Sequence, residues 1–179
     1  MSILRWLGFG GGDEDRDRAS STEGETRTVR AIAERLERLP PEQARYLAAF
    51  AYVLARVAHA DMHVLDTEAE RMREIVQEQA DLDPAEAELV VEIAKSQARL
   101  LGGTENYVVT REFRRIASRA QRGRLLDCLF AVAAADGEIS APESTEIANI
   151  GEELGFTRPE VNAVRARWRE HLSELRARD

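Results

Sequence analysis

Apolar residues recur every three to four positions from Thr26 onward, with polar residues filling the faces between them, the pattern of amphipathic helices. Val29, Ile32, Ala33 and Leu36 form the first stripe, and Pro40-Pro41 ends it. Tyr46, Leu47, Phe50, Tyr52, Val53, Leu54 and Val57 predict a second, strongly apolar helix reaching Ala60. A third starts near Thr67 and carries Met72 and Ile75. Pro84 opens a fourth, with Leu89, Val90, Ile93 and Leu100 before Gly102-Gly103. Tyr107, Val108, Phe113 and Ile116 mark a fifth, and Leu125, Leu126, Leu129, Phe130 and Val132 a sixth ending at Ala135. Ile147, Ile150 and Leu154 mark a seventh, closed by Gly155, and Pro159 opens an eighth with Val161, Val164 and Trp168. No segment alternates with period two. The expected fold class is all-α, a bundle of seven to eight helices.

One acidic pattern occurs twice at corresponding points of this helical series. Asp61 and Glu68 bridge the second and third helices, and Asp136 and Glu143 bridge the sixth and seventh, 75 positions later in each case. The same offset relates Leu54 to Leu129, Ile75 to Ile150 and Pro84 to Pro159. A shared offset over about forty residues predicts an internal pseudo-duplication. The second and sixth helices, the most apolar, should then lie buried against each other, wrapped by the amphipathic remainder.

Residues 1–25 read differently. Ile3, Leu4, Trp6 and Leu7 form an apolar tip around Arg5, followed by Gly8-Phe9-Gly10-Gly11-Gly12 and the charged run Asp13-Glu14-Asp15-Arg16-Asp17-Arg18. Glycine clusters and dense charge without periodicity predict a flexible tail over 1–25, with the helical domain occupying 26–179. The tip suits weak contact with a membrane surface or a partner groove; the alternatives are that it folds back or is merely a disordered start.

Charge narrows the partners. The chain has 25 basic and 33 acidic residues, a net −8, which speaks against nucleic-acid binding by the whole surface. Arg111, Arg114, Arg115, Arg119, Arg122 and Arg124 make the fifth helix and its neighbourhood locally basic, which reads first as a solvated, ion-paired face. The single cysteine, Cys128, excludes an internal disulfide framework and sits in an apolar run as a small buried hydrophobe. No run approaches the length of a membrane span, and no signal peptide is visible. A cytoplasmic protein, peripheral to the inner membrane if the tip engages it, is the expectation.

The two corners carry the candidate chemistry. A carboxylate near a helix C-terminus faces the negative end of the dipole, so Asp61 and Asp136 cost stability unless something compensates. A divalent cation would compensate, since carboxylates and loop carbonyls are the oxygen ligands that calcium or magnesium prefers. A metal-free reading is also open: Gly137 stops the sixth helix with positive φ, Ser140-Ala141-Pro142-Glu143 fits a capping box, and Asp136 sits in a solvated turn. The loop is not an EF-hand, which needs acids at alternating positions. His59 and His63, with Asp61 and Asp66, resemble a zinc cluster, but the second copy replaces the histidines with Ala134 and Glu138, which favours surface histidines. His171 reads as solvated. No Gly-rich phosphate loop, HExxH sequence or Cys-His pair is present, so catalysis is not expected.

The run Glu105-Asn106-Tyr107-Val108-Val109-Thr110-Arg111, then Arg124 through Ile139 with its Ala135-Asp136-Gly137-Glu138, and Glu143, resembles the tellurite-resistance TerB-like family over roughly residues 28 to 170. The resemblance implies an all-helical bundle with internal pseudosymmetry and a metal site built from its corner acids, here Asp61, Glu68, Asp136 and Glu143. The first corner departs from the pattern, with Met62 in place of glycine and an additional His63. Related domains are attached to J-domain co-chaperones, but no His-Pro-Asp sequence occurs in this chain and a chaperone activity is not implied.

The expected function is a non-enzymatic helical binding or scaffold module of chemical-stress response, holding Ca2+, Mg2+ or Zn2+ at its corners and engaging protein partners. The alternative is a metal-free interaction domain whose acids only cap helices.

Overall fold

The computed structural model describes residues 19–58, 66–98 and 106–173. Eight helices occur among them: α1 (Ala19–Glu37), α2 (Pro41–Ala58), α3 (Asp66–Ala80), α4 (Pro84–Ala98), α5 (Asn106–Ile116), α6 (Arg119–Ala133), α7 (Ala141–Glu153) and α8 (Arg158–Ala166). No strand is present among the described residues. The all-α bundle is therefore as the apolar periodicity dictates. α1 begins seven residues before the predicted start at Thr26, because Ala19 to Glu25 lack the apolar stripe that a pattern reading needs while containing good helix formers. The N-terminal tip at Ile3 to Leu7 lies outside the described residues, as do His59, Asp61 and His63.

Local chemistry sets the ends of these helices. Asp83 and Glu86 cap α4 reciprocally, Glu86 N donating to Asp83 Oδ1 at 2.8 Å and Asp83 N to Glu86 Oε2 at 3.0 Å. Ser118 caps α6 in the same way with Gln121. α3 ends at Asp81, whose φ of 56° is the left-handed conformation that aspartate tolerates better than most residues. Gly155, at φ 88°, turns the chain after α7, and Arg114 lies so close that its Nε would stand 2.8 Å from a Cβ there.

α2 is the core helix. Every residue from Leu47 to Val57 except Arg56 is buried, so this helix is apolar on all sides and must be enclosed by others. It packs against α4, α5, α6 and α7, with α1 lying over α2 and α4. At about 1.5–3 kcal/mol for each large side chain fully removed from water, Leu47, Phe50 and Leu54 make α2 a major apolar contributor to stability, alongside Leu125, Leu126, Leu129 and Phe130 of α6. An aromatic group locks α2 to α5: the Phe113 ring lies 5.4 Å from Tyr46 and 6.0 Å from Phe50, the latter edge-on. Burial pushes the Tyr46 hydroxyl up to about 12, with Arg124 pulling against that rise.

The expected contact between α2 and α6 is present, but α6 also receives α3 along its length. Asp81, just past the end of α3, pairs with Arg124 in the first half of α6 at 3.1 Å. The two helices are equal in length, so they run antiparallel and the first turn of α3 lies toward the last turn of α6. α7 touches α2 but lies chiefly against α6 and α8, and α3 on α4 is matched by α7 on α8.

Candidate functional site at the acidic corners

The antiparallel arrangement of α3 and α6 decides where the corners lie. Glu68 is in the first turn of α3, and Asp136 follows the end of α6, so both stand toward the same end of the helix pair. The side chain of Glu68 and the whole of Asp61 lie outside the described residues. The geometry that can be described is that of the second corner.

α6 ends at Ala133 with Ala134 as its C-terminal cap. Asp136 therefore sits two residues beyond the cap, in the turn. Its Oδ1 accepts from the backbone N–H of Glu138 at 3.1 Å, so a loop donor supplies the compensation that the helix dipole withholds. Gly137 follows at φ 99°, the conformation that lets the chain reverse, and open space surrounds the position where a Cβ would stand. Ser140 then starts α7. Its N–H and hydroxyl donate to Glu143 Oε2 at 2.9 and 2.7 Å, and Glu143 N donates back to Ser140 Oγ at 3.4 Å. Asp136 is exposed and Glu143 half-buried, each with one oxygen engaged by its own loop. Among the described residues, no three His, Cys, Asp or Glu side chains are grouped to hold a metal ion.

The corner loop has a partner that helical periodicity did not predict. Ile139 N donates to His171 O at 2.7 Å and Ser173 N donates to Ile139 O at 3.0 Å, an isolated parallel bridge in a helical protein. Ile139 and Leu172 are both buried in forming it. His171, expected to be solvated, is half-buried, with Nδ1 3.3 Å from Gly137 O and its ring centroid 5.9 Å from that of Trp168. The C-terminal segment thus fixes the loop between Asp136 and Glu143 from outside. A bridge of one residue pair has no period, so the sequence carried no signal for it.

Arg56 is the second feature missed. It is the one charged side chain in the buried stretch of α2, 6% exposed, and it reaches Glu153 at 2.6 Å, Glu146 at 2.7 Å and Thr110 Oγ1 at 2.6 Å. Burial opposes its charge, but the hydrogen bonds that it donates to Glu153 and Glu146, with their negative charges, outweigh that and raise its affinity for the proton. The cluster ties α2 to α5 and α7. A lone arginine within an apolar helix stripe was the available clue, since such a charge needs partners. Cys128 is fully buried and its thiol is pushed up to about 12 by burial, which removes it as a nucleophile.

Residues 46–166, more than half of the chain, match the family described as Tellurite resistance protein TerB. The chain belongs to the TerB family. The match begins in the core helix α2 and ends with α8, so it covers the residues of both acidic corners. No curated protein and no solved structure matches the chain. Within the TerB match, both the cap network of the second corner and the Arg56 cluster are included; the bridge partner Leu172 lies just beyond it. No described helix is long and apolar enough to cross a membrane.

Proposed function

We propose that this TerB-family chain is a non-enzymatic binding module of chemical-stress response that holds a divalent cation at the pole where its two corners meet, drawing on Asp61, Glu68, Asp136 and Glu143. The carrying observation is the antiparallel packing of α3 on α6, which directs the start of α3 and the end of α6 to one end of the bundle. The contact of α3 on α4, repeated by α7 on α8, supports reading the two halves as copies of one unit. Asp136 and Glu143 each spend one oxygen on a loop donor, so a cation at this pole would share its carboxylates with the caps. Oxygen ligation of this kind suits calcium or magnesium better than zinc. The site would present a partner protein with a charge that depends on the cation.

The thermal midpoint of chelator-stripped protein tests this. A cation at 100 times its dissociation constant adds about 2.7 kcal/mol, a rise of roughly 5–10 °C for a domain of this size. Asp61→Asn with Asp136→Asn should remove the rise. Absence of any shift with calcium, magnesium or zinc would reject cation binding.

A second reading rests on the capping box itself. If Glu143 serves only Ser140, the protein is a metal-free interaction domain. Ser140→Ala would then cost about 1 kcal/mol regardless of added cation.

A further inference from the structure

Tyr107 and Val108 are 53% and 62% exposed, the two large hydrophobics that the described surface leaves open. They line a groove of about 750 Å³ between α5 and the end of α7. The carboxylates beside that groove are already matched. Glu112 pairs with Arg115 at 2.7 Å, Glu152 with Arg158 at 3.0 Å, and Glu153 with Arg56 at 2.6 Å. Arg111 and Arg114 also line it, and no described carboxylate pairs with either. Arg111 instead lies over the Tyr107 ring, 5.5 Å from its centroid, and Arg114 lies across Gly155. The groove therefore offers an apolar floor flanked by uncompensated positive charge, on a protein whose net charge is −8.

We propose that the N-terminal segment of this same chain is its occupant, with Ile3, Leu4, Trp6 and Leu7 against Tyr107 and Val108 and the acidic run Asp13 to Asp17 beside Arg111 and Arg114. The order of chemistry matches: an apolar tip, a glycine spacer, then Asp13, Glu14, Asp15 and Asp17 against Arg16 alone within that run. Reach is sufficient. Gly8 to Arg18 precede α1, and at about 3.3–3.6 Å per residue they span up to roughly 40 Å, comparable to the diameter of a domain of this length. Tethering at such a distance gives an effective concentration on the order of millimolar, so a weak intrinsic affinity fills the groove. A concave groove fits a peptide better than a flat bilayer.

Trp6 reports on this directly, because Trp6 and Trp168 are the two tryptophans of the chain. The emission of the unaltered protein minus that of Trp6→Phe isolates Trp6 without touching Trp168. Docking predicts Trp6 emission at shorter wavelength than a solvated tryptophan, independent of protein concentration. Val108→Asp and Arg111→Glu, both at exposed positions, should return it to the solvated wavelength with the helical circular dichroism unchanged. Four results overturn the proposal: a solvated Trp6 in the unaltered protein, a blue shift that both groove variants retain, one that appears only as concentration rises (a second copy as the occupant), and one that appears only with phosphatidylglycerol vesicles (a membrane as the occupant).

Discussion

Ile139 in the corner loop and Leu172 in the C-terminal segment are joined through their backbones, with His171 O and Ser173 N on either side of the Ile139 peptide unit. The contact is held by two backbone hydrogen bonds and two buried apolar side chains, so it should be rigid in proportion to that burial. Leu172→Ala is expected to cost about 2 kcal/mol, the low end for a buried leucine because a segment near the chain end can relax. Amide exchange at Ile139 should accelerate in the same variant, while exchange in α2 changes only by the loss of global stability. Unchanged protection at Ile139 would mean that the loop holds its conformation alone.

Arg56 gives a sharper test of electrostatics in the core. Arg56→Met removes the cation and leaves Glu146 and Glu153, 36% and 19% exposed, facing each other beside Thr110. Removing one partner of a buried pair commonly costs 3–5 kcal/mol, and the partial exposure of the glutamates places the loss at about 3 kcal/mol. Adding Glu146→Gln and Glu153→Gln should recover part of it, since those carboxylates no longer need neutralising. Denaturant melts of the four combinations give the coupling, which should exceed 0.5 kcal/mol as expected for groups in contact.

Gly151 sits in α7 where α8 crosses. A Cβ there would stand 2.7 Å from Val161 Cγ2 and 3.5 Å from Leu126 Cδ1, both on buried side chains. Gly151→Ala gains about 1 kcal/mol of helix propensity. The clash costs about 1–3 kcal/mol when a packed neighbour must shift. With Val161 held between helices the clash should win, lowering the thermal midpoint, and a compensating Val161→Ala should restore part of the loss.

Acid should weaken the start of α8 through Glu160. The backbone and hydroxyl of Thr157 donate to its carboxylate at 2.7 and 2.8 Å, and together with Arg119 they depress its pKa to about 2 from an ordinary 4.5. A depressed folded-state pKa means stability that is fully present above about 4.5 and lost as pH falls toward 2. Glu160→Gln should therefore lower stability at pH 7, with the gap from the parent protein closing between pH 4.5 and pH 2. A gap independent of pH would assign the effect to packing.

Periodicity carried most of the architecture. Tyr46 to Val57 reads as a buried helix because its apolar residues exceed one face, and Pro84, Ser140 and Pro159 mark helix starts through local rules that act within four residues. The corner acids were legible as a repeated spacing, and Ser140 with Glu143 as a capping box, for the same reason. What the sequence could not place was any contact between distant segments. Arg56 meets residues 90 and 97 positions away, and His171 meets Gly137 at 34, with no periodic signal linking them. α6 ends at Ala133, two residues before the expected Ala135, which leaves Asp136 in a turn with a turn hydrogen bond. The early start of α1 escaped because a polar helix segment looks like a tether.

The packing of α3 on α6 and of α7 on α2 has a consequence for how the molecule can come apart. α2 and α3 of the first half pack against α5, α6 and α7 of the second, so a cut in the connection between α4 and α5 yields two fragments with their hydrophobic faces bare. Neither fragment should fold alone, yet the two mixed together should reassemble. Unfolding is expected to be a single cooperative event, with the two halves behaving as one interlocked pair and not as two independent modules in series.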